Sequence, residues 1–183
     1  KKRAAAQGRE HVPVVQMDSV IGNKSGKVLL TMFSQNTNLL LAFLRDHNTA
    51  RSVLDVFNDL YAMFGRETYC RLFPVILTDR GSEFSNPVPI EQDENDELRS
   101  LVFYCNPSAP YQKGGIEVAH ELVRRVLPKG KSFDDLQQED IDLMLSHINS
   151  YKRGKLNSRS AYQLFNFIYG DDILPKLNIR EIE

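Results

Sequence analysis

Residues 12–78 change their hydrophobic period twice, and that change limits the chain to few folds. Three apolar runs, Val12–Val20, Lys27–Ser34 and Asn38–Leu44, are rich in Val, Leu, Ile and Phe. Gly22–Asn23 and Ser25–Gly26 punctuate the first pair, so short turns join the runs into an antiparallel meander. From Thr49 the spacing becomes helical: Ala50, Val53, Leu54, Phe57, Leu60, Tyr61 and Phe64 recur at three- and four-residue steps, with Gly65 as the expected stop. A short buried run, Phe73–Thr78, then ends in a polar turn. Three strands, a helix and a buried strand predict an α/β domain with a mixed sheet.

Downstream, an acidic stretch from Ser85 to Ser100 carries a short helix around Pro89–Leu98, and Leu101–Cys105 reads as a strand. Asn106–Gly115 is a loop, followed by a helix over Gly115–Leu127. Ile116, Ala119, Val123 and Val126 lie on one side of that helix, and Glu117, His120, Glu121 and Arg124 on the other. A helix capped by Ser132 and running to Tyr151, then one over Ser160–Tyr169, complete the reading. The expected organisation is an arm or linker at 1–11, a core at 12–170 and a C-terminal tail at 171–183.

No apolar run is long enough to span a bilayer as a helix, which predicts a cytoplasmic rather than a membrane protein. Cys70 and Cys105 lack partners at zinc-ligand spacing and read as reduced, buried thiols. The net charge is only −1, yet the cations are clustered. Lys113, Arg124, Arg125, Lys129 and Lys131 form one group, and Lys152, Arg153, Lys155 and Arg159 another. Such clusters suit a phosphate backbone, and equally a solvated surface.

Three carboxylates carry the chemical argument. Asp18 interrupts an apolar strand, where an ionised side chain needs an edge, a partner or a cation. Asp79 sits where a strand meets a glycine turn. Glu117 opens the polar face of a helix. Each has a plain alternative: an outward strand residue sharing the parity of Gln16, a turn-former before Gly81, and an acid favoured by the helix dipole. Spacing alone does not make them meet. Three oxygen donors without paired Cys or His favour Mg²⁺ or Mn²⁺ over zinc.

Met17-Asp18-Ser19-Val20-Ile21-Gly22, Leu77-Thr78-Asp79-Arg80-Gly81-Ser82-Glu83-Phe84 and Tyr111-Gln112-Lys113-Gly114-Gly115-Ile116-Glu117 resemble, in order, the three acidic motifs of insertion-sequence transposases of the retroviral-integrase-like group. The second and third acids are about 38 positions apart. Lys155–Phe165 is similar to the basic segment that closes many such cores. The resemblance implies a ribonuclease H-like sheet, a three-strand antiparallel meander plus parallel strands flanked by helices. It implies that Asp18, Asp79 and Glu117 gather Mg²⁺ (with Mn²⁺ substituting), cut DNA at transposon ends and transfer a 3′-hydroxyl into target DNA.

Lys113, Arg124, Arg125 and Lys129 are then expected on the DNA backbone, with His120 and Glu121 as auxiliaries and Glu83 in support. Partners would be transposon-end and target DNA and further copies of the chain, a homodimer or higher oligomer assembled on DNA. A bacterial, nucleoid-associated protein with a separate N-terminal DNA-binding region follows as an expectation. Arg80 and Val118 stand where many relatives have Asn. Two alternatives therefore stay open: a nuclease of the same fold without strand transfer, and an inactive DNA-binding or assembly module.

Overall fold

The computed structural model describes residues 12–23, 26–106 and 110–183. The expected arm at 1–11 lies outside them. Strands β1 (Val14–Ile21), β2 (Val28–Ser34) and β3 (Leu40–Arg45) form the predicted meander, and β4 (Val75–Thr78) and β5 (Leu101–Tyr104) add to β1 in parallel. The sheet order is β3-β2-β1-β4-β5. This is the mixed ribonuclease H-like sheet expected. It changes hand of travel between β1 and β4, and in such sheets ligands bind beyond the strand ends at that point.

Helix α1 (Ala50–Leu72) starts at a Thr49–Ser52 capping box and buries Val53, Phe57, Leu60 and Phe64, as the spacing predicts. Gly65 does not stop it. At φ 70° and ψ 165° it breaks the helix, which then resumes and buries Tyr69 and Leu72. The apolar spacing on both sides outweighs one non-helical residue. A single-turn helix, α2 (Val88–Glu91), precedes β5, and α3 (Gly114–Val126) follows a turn of 3-10 helix at Pro110–Lys113.

The next helix, α4 (Gln138–Ser150), is capped by Gln137 and begins five residues later than the Ser132 cap predicts. The Ser132 hydroxyl and Asp134 bond each other instead, and Asp134 Oδ1 accepts the Lys27 backbone N–H at 2.8 Å. The pair ties that loop to β2, and the capping box forms at Gln137–Asp140. Helix α4 closes the free edge of β3. Asn149 both donates to and accepts from the Leu40 backbone, and Gln138 does the same for Ala42 and Leu44. Polar side chains thus satisfy an edge that would otherwise invite another strand.

A two-stranded hairpin, β6 (Lys152–Arg153) with β7 (Arg159–Ser160), leads into the expected last helix, α5 (Ala161–Tyr169), which a Ser160–Gln163 capping box starts. Residues 171–183, read as a tail, fold back onto α4. Ile173, Leu174 and Ile179 are buried, and the Arg180 and Ile182 backbones bond Ser146 and Ser150. Cys70 and Cys105 are half-buried rather than buried and are not joined to each other. No helix among the described residues is long and apolar enough to cross a membrane.

Candidate metal and phosphate site

Strand register puts Asp18 beside Asp79. The last bonded pair of β1 and β4 is Gln16 with Leu77, so two residues further on each strand the aspartates stand level where the strands part. Gln16 and Asp18 share a face of β1, with Phe33 and Thr31 of β2 opposite them. That face is not open to solvent, because α3 lies across it. Gln16, only 2% exposed, accepts the Ile116 backbone N–H at 2.7 Å and donates to the Gln112 carbonyl at 2.9 Å. It fixes the start of α3 to β1. Gly115 permits the close approach: a Cβ there would lie 2.5 Å from the Phe33 ring.

Lys113 joins the aspartates. Its Nζ lies 3.0 Å from Asp18 Oδ2 and 3.2 Å from Asp79 Oδ2, and the residue is 7% exposed. Expected on the DNA backbone, its ammonium is instead held inside the site. Asp79 Oδ1 also accepts the Gly81 N–H at 2.9 Å. At Gly81 a Cβ would stand 2.6 Å from Glu83 Oε2 and 3.2 Å from Asp79 Oδ1, so a side chain there would push the Glu83 carboxylate aside.

Beneath the aspartates lies a polar network that motif spacing did not reveal. Arg45, buried at the end of β3, donates to Ser19, Asn48 and Ser52, and Asn48 donates to Glu83. Burial pulls the Arg45 guanidinium down to about 10, with Glu83 opposing. Ser19 follows Asp18 and its N–H donates to Asp18 Oδ1, so the network connects the surroundings of both aspartates. Glu83, expected in support, is thus one member of this network. The sole sequence signal was a lone Arg closing an apolar strand.

On α3, His120 is mostly enclosed, whereas Glu117 and Glu121 are exposed. The Thr31 hydroxyl donates to the Asp18 carbonyl at 2.9 Å, so His120 Nε2, 2.8 Å away, is the donor to Thr31. Burial lowers the His120 pKa and the Asp18 charge opposes the shift. Arg124, expected at DNA, donates to the Ile21 carbonyl at 2.9 Å and ties α3 to the end of β1. Arg125 and Lys129 are exposed. In the second basic cluster, Arg153 caps the Asn38 and Ile148 carbonyls, and Arg159 stacks over Phe167 at 5.8 Å.

The structure thus unites Asp18 and Asp79 and leaves Glu117 outside. Among the described residues no three His, Cys, Asp or Glu side chains are close enough to hold one metal ion together. The donor chemistry of the aspartate pair nonetheless fits a hard cation: two carboxylate oxygens already share one positive charge.

No family model matches the chain. It is 28% identical over 151 residues to the ORF3 product of Spiroplasma virus SpV1-R8A2 B, named as a proposed integrase, covering 82% of this chain and 45% of that protein. It is 22% identical over 160 residues to the transposase for insertion sequence element IS4351 of Bacteroides fragilis, covering 87% and 46%. The chain therefore spans less than half the length of these relatives. Among solved structures it resembles the catalytic core domain of BIV integrase, with a TM-score of 0.54, 20% identity, and 85% and 92% of the two chains covered. A chain of the simian T-cell lymphotropic virus intasome bound to PP2A regulatory subunit B56 gamma aligns with a TM-score of 0.57, 15% identity, and 84% and 53% covered. The chain is thus similar in sequence to proteins named integrase and transposase, and in fold to a retroviral integrase catalytic core.

Proposed function

For a core with the retroviral integrase fold and relatives named transposase and integrase, we propose that the chain is the catalytic core of a metal-dependent DNA transposase. The observation that carries this reading is the side-by-side placement of Asp18 and Asp79 around a single cationic centre at the parting of β1 and β4. Asp18 and Asp79, joined by Glu117, would hold the divalent metal. Mg²⁺ or Mn²⁺ held there would supply Lewis-acid activation of a water or a 3′-hydroxyl and charge stabilisation at the departing oxygen. A bond forms between the attacking oxygen and phosphorus as that oxygen gives up its proton, the bond to the leaving 3′-oxygen breaks, and the leaving oxygen takes up a proton.

The chain's own part is placement. The β1–β4 register fixes the two aspartates, and the Arg45–Asn48–Glu83 network braces the loops around them. Arg125 and Lys129 contact phosphates without reading sequence. Arg124 reaches DNA only where its bond to Ile21 leaves donors over. Recognition of transposon ends belongs to a region beyond this chain, and pairing two ends requires at least two copies. The protein acts at the bacterial nucleoid.

A branched oligonucleotide that presents a 3′-hydroxyl next to a phosphodiester tests the chemistry without end recognition. Resolution with joining in Mg²⁺ or Mn²⁺ is expected, and Asp79→Asn should reduce it at least about a thousandfold. Hydrolysis without joining would point to the nuclease of the same fold. The exposed position of Glu117 favours one further reading, an inactive assembly module. That reading requires DNA binding or self-association that survives Asp79→Asn, with no metal-dependent cleavage by the unaltered chain.

A further inference from the structure

Lys113 is an unusual neighbour for two carboxylates that would otherwise take a metal. Its ammonium is nearly enclosed and meets both Oδ2 atoms at hydrogen-bond distance, 3.0 and 3.2 Å. Without it, two like charges would face each other at the end of the sheet, and each would favour parting from the other. A divalent cation needs the same oxygens at about 2.1 Å for Mg²⁺. An ammonium in this position competes with a divalent cation for them, because two positive charges so close repel each other.

Lys113 also stands one turn before Glu117 on the segment that Gln16 clamps through Gln112 and Ile116. The clamp holds backbone, whereas the ammonium rides on a flexible four-carbon stem. It can withdraw without undoing the helix start. The present arrangement has the lysine inside and the third acid outside.

We propose that Lys113 is a built-in cation that holds Asp18 and Asp79 together before metal arrives and leaves them when metal binds, making room for Glu117. The proposal rests on the reading of the aspartates as metal ligands. Its consequence is a competition: the chain's affinity for metal is reduced by the fraction of molecules in which the lysine occupies the pair. Lys113 is thus a positioning residue in the resting site and a brake on metal loading.

Two measurements on the whole chain test it. Calorimetric titration with Mn²⁺ should give Lys113→Gln an affinity about tenfold tighter than the unaltered chain, a factor that corresponds to a lysine bound in about nine molecules of ten. Amine acylation of the unaltered chain, read by mass spectrometry, should find Lys113 protected in chelator and labelled once Mn²⁺ is added. The second readout needs no variant and decides the matter if Lys113→Gln does not fold. Mn²⁺ binding by the unaltered chain with no change in Lys113 labelling, or with equal affinity in Lys113→Gln, overturns the brake and leaves the metal site standing. Failure of both proteins to bind Mn²⁺ overturns the metal reading itself, and the proposal falls with it.

Discussion

The two sides of the candidate site are built by different means. Asp18 and Asp79 ride on paired strands, where the parallel register sets them level and backbone bonds hold the register. Glu117 rides on a helix held to the sheet by side chains: Gln16 at its start, His120 on Thr31, Arg124 on the Ile21 carbonyl, and the buried Ile116, Ala119 and Val123, with Gly115 close against Phe33. The first side is fixed by the sheet itself. The second is fastened to it at a few points, and there the third acid stands in solvent while Lys113 occupies the pair. Backbone pairing delivers preformed geometry, whereas a docked helix leaves a site that can close on its ligand.

That contrast breaks most sharply at Gln16. Gln16→Leu keeps the volume but leaves the Ile116 N–H and the Gln112 carbonyl unpaired in a buried place, at about 1–3 kcal/mol for each group. Denaturant unfolding should show that loss. Hydrogen exchange should show α3 opening well before β1, and simultaneous opening would mean the helix is held elsewhere.

His120 offers a smaller effect, with a direction set by burial. Its lowered pKa means that the folded chain takes up the imidazole proton less readily than the unfolded chain. Stability is therefore complete above the ordinary imidazole value of about 6.5, and falls as pH drops from there to the folded value. The loss levels off below that. Thermal melts across pH 7 to 5 should show the decline, and His120→Gln should flatten it. The neutral Nε2–H to Thr31 accounts for about 1 kcal/mol of stability.

The smallest effect separates the two basic side chains of α3 and its following loop. Lys129→Ala should leave folding unchanged and lower the salt slope of DNA binding by about one. Arg124→Ala should cost stability as well, because it releases the Ile21 carbonyl. Equal, purely electrostatic effects from both would remove the structural role of Arg124.

The sequence made the sheet side of this contrast legible and left much of the helix side obscure. Alternation of apolar runs, short turns and one amphipathic period located β1 through β4, whereas the meeting of Asp18 with Asp79 was implied only by the motif resemblance and is set by the β1–β4 register. Gln16 was invisible because a polar residue at strand parity looks outward until a helix is known to cover that face. Lys113 read as a phosphate contact, since charge in a loop does not reveal which way a long side chain folds. The start of α4 was misplaced because Ser132 satisfies a helix cap and a local Asp turn equally well, and only the long-range bond from Lys27 to Asp134 selects the turn. Gly65 taught the converse: an apolar stripe continued past a residue whose backbone leaves the helix.

Everything proposed for the site turns on Asp18 and Asp79, joined by Glu117, holding divalent metal. Crystals of the chain soaked in Mn²⁺, with anomalous density at the parting of β1 and β4, test it most directly. A peak bound by both Asp18 and Asp79, with Lys113 withdrawn and the Glu117 carboxylate turned in, is the predicted result. Saturating Mn²⁺ with no peak between the aspartates, and the Lys113 ammonium still in place, would contradict it.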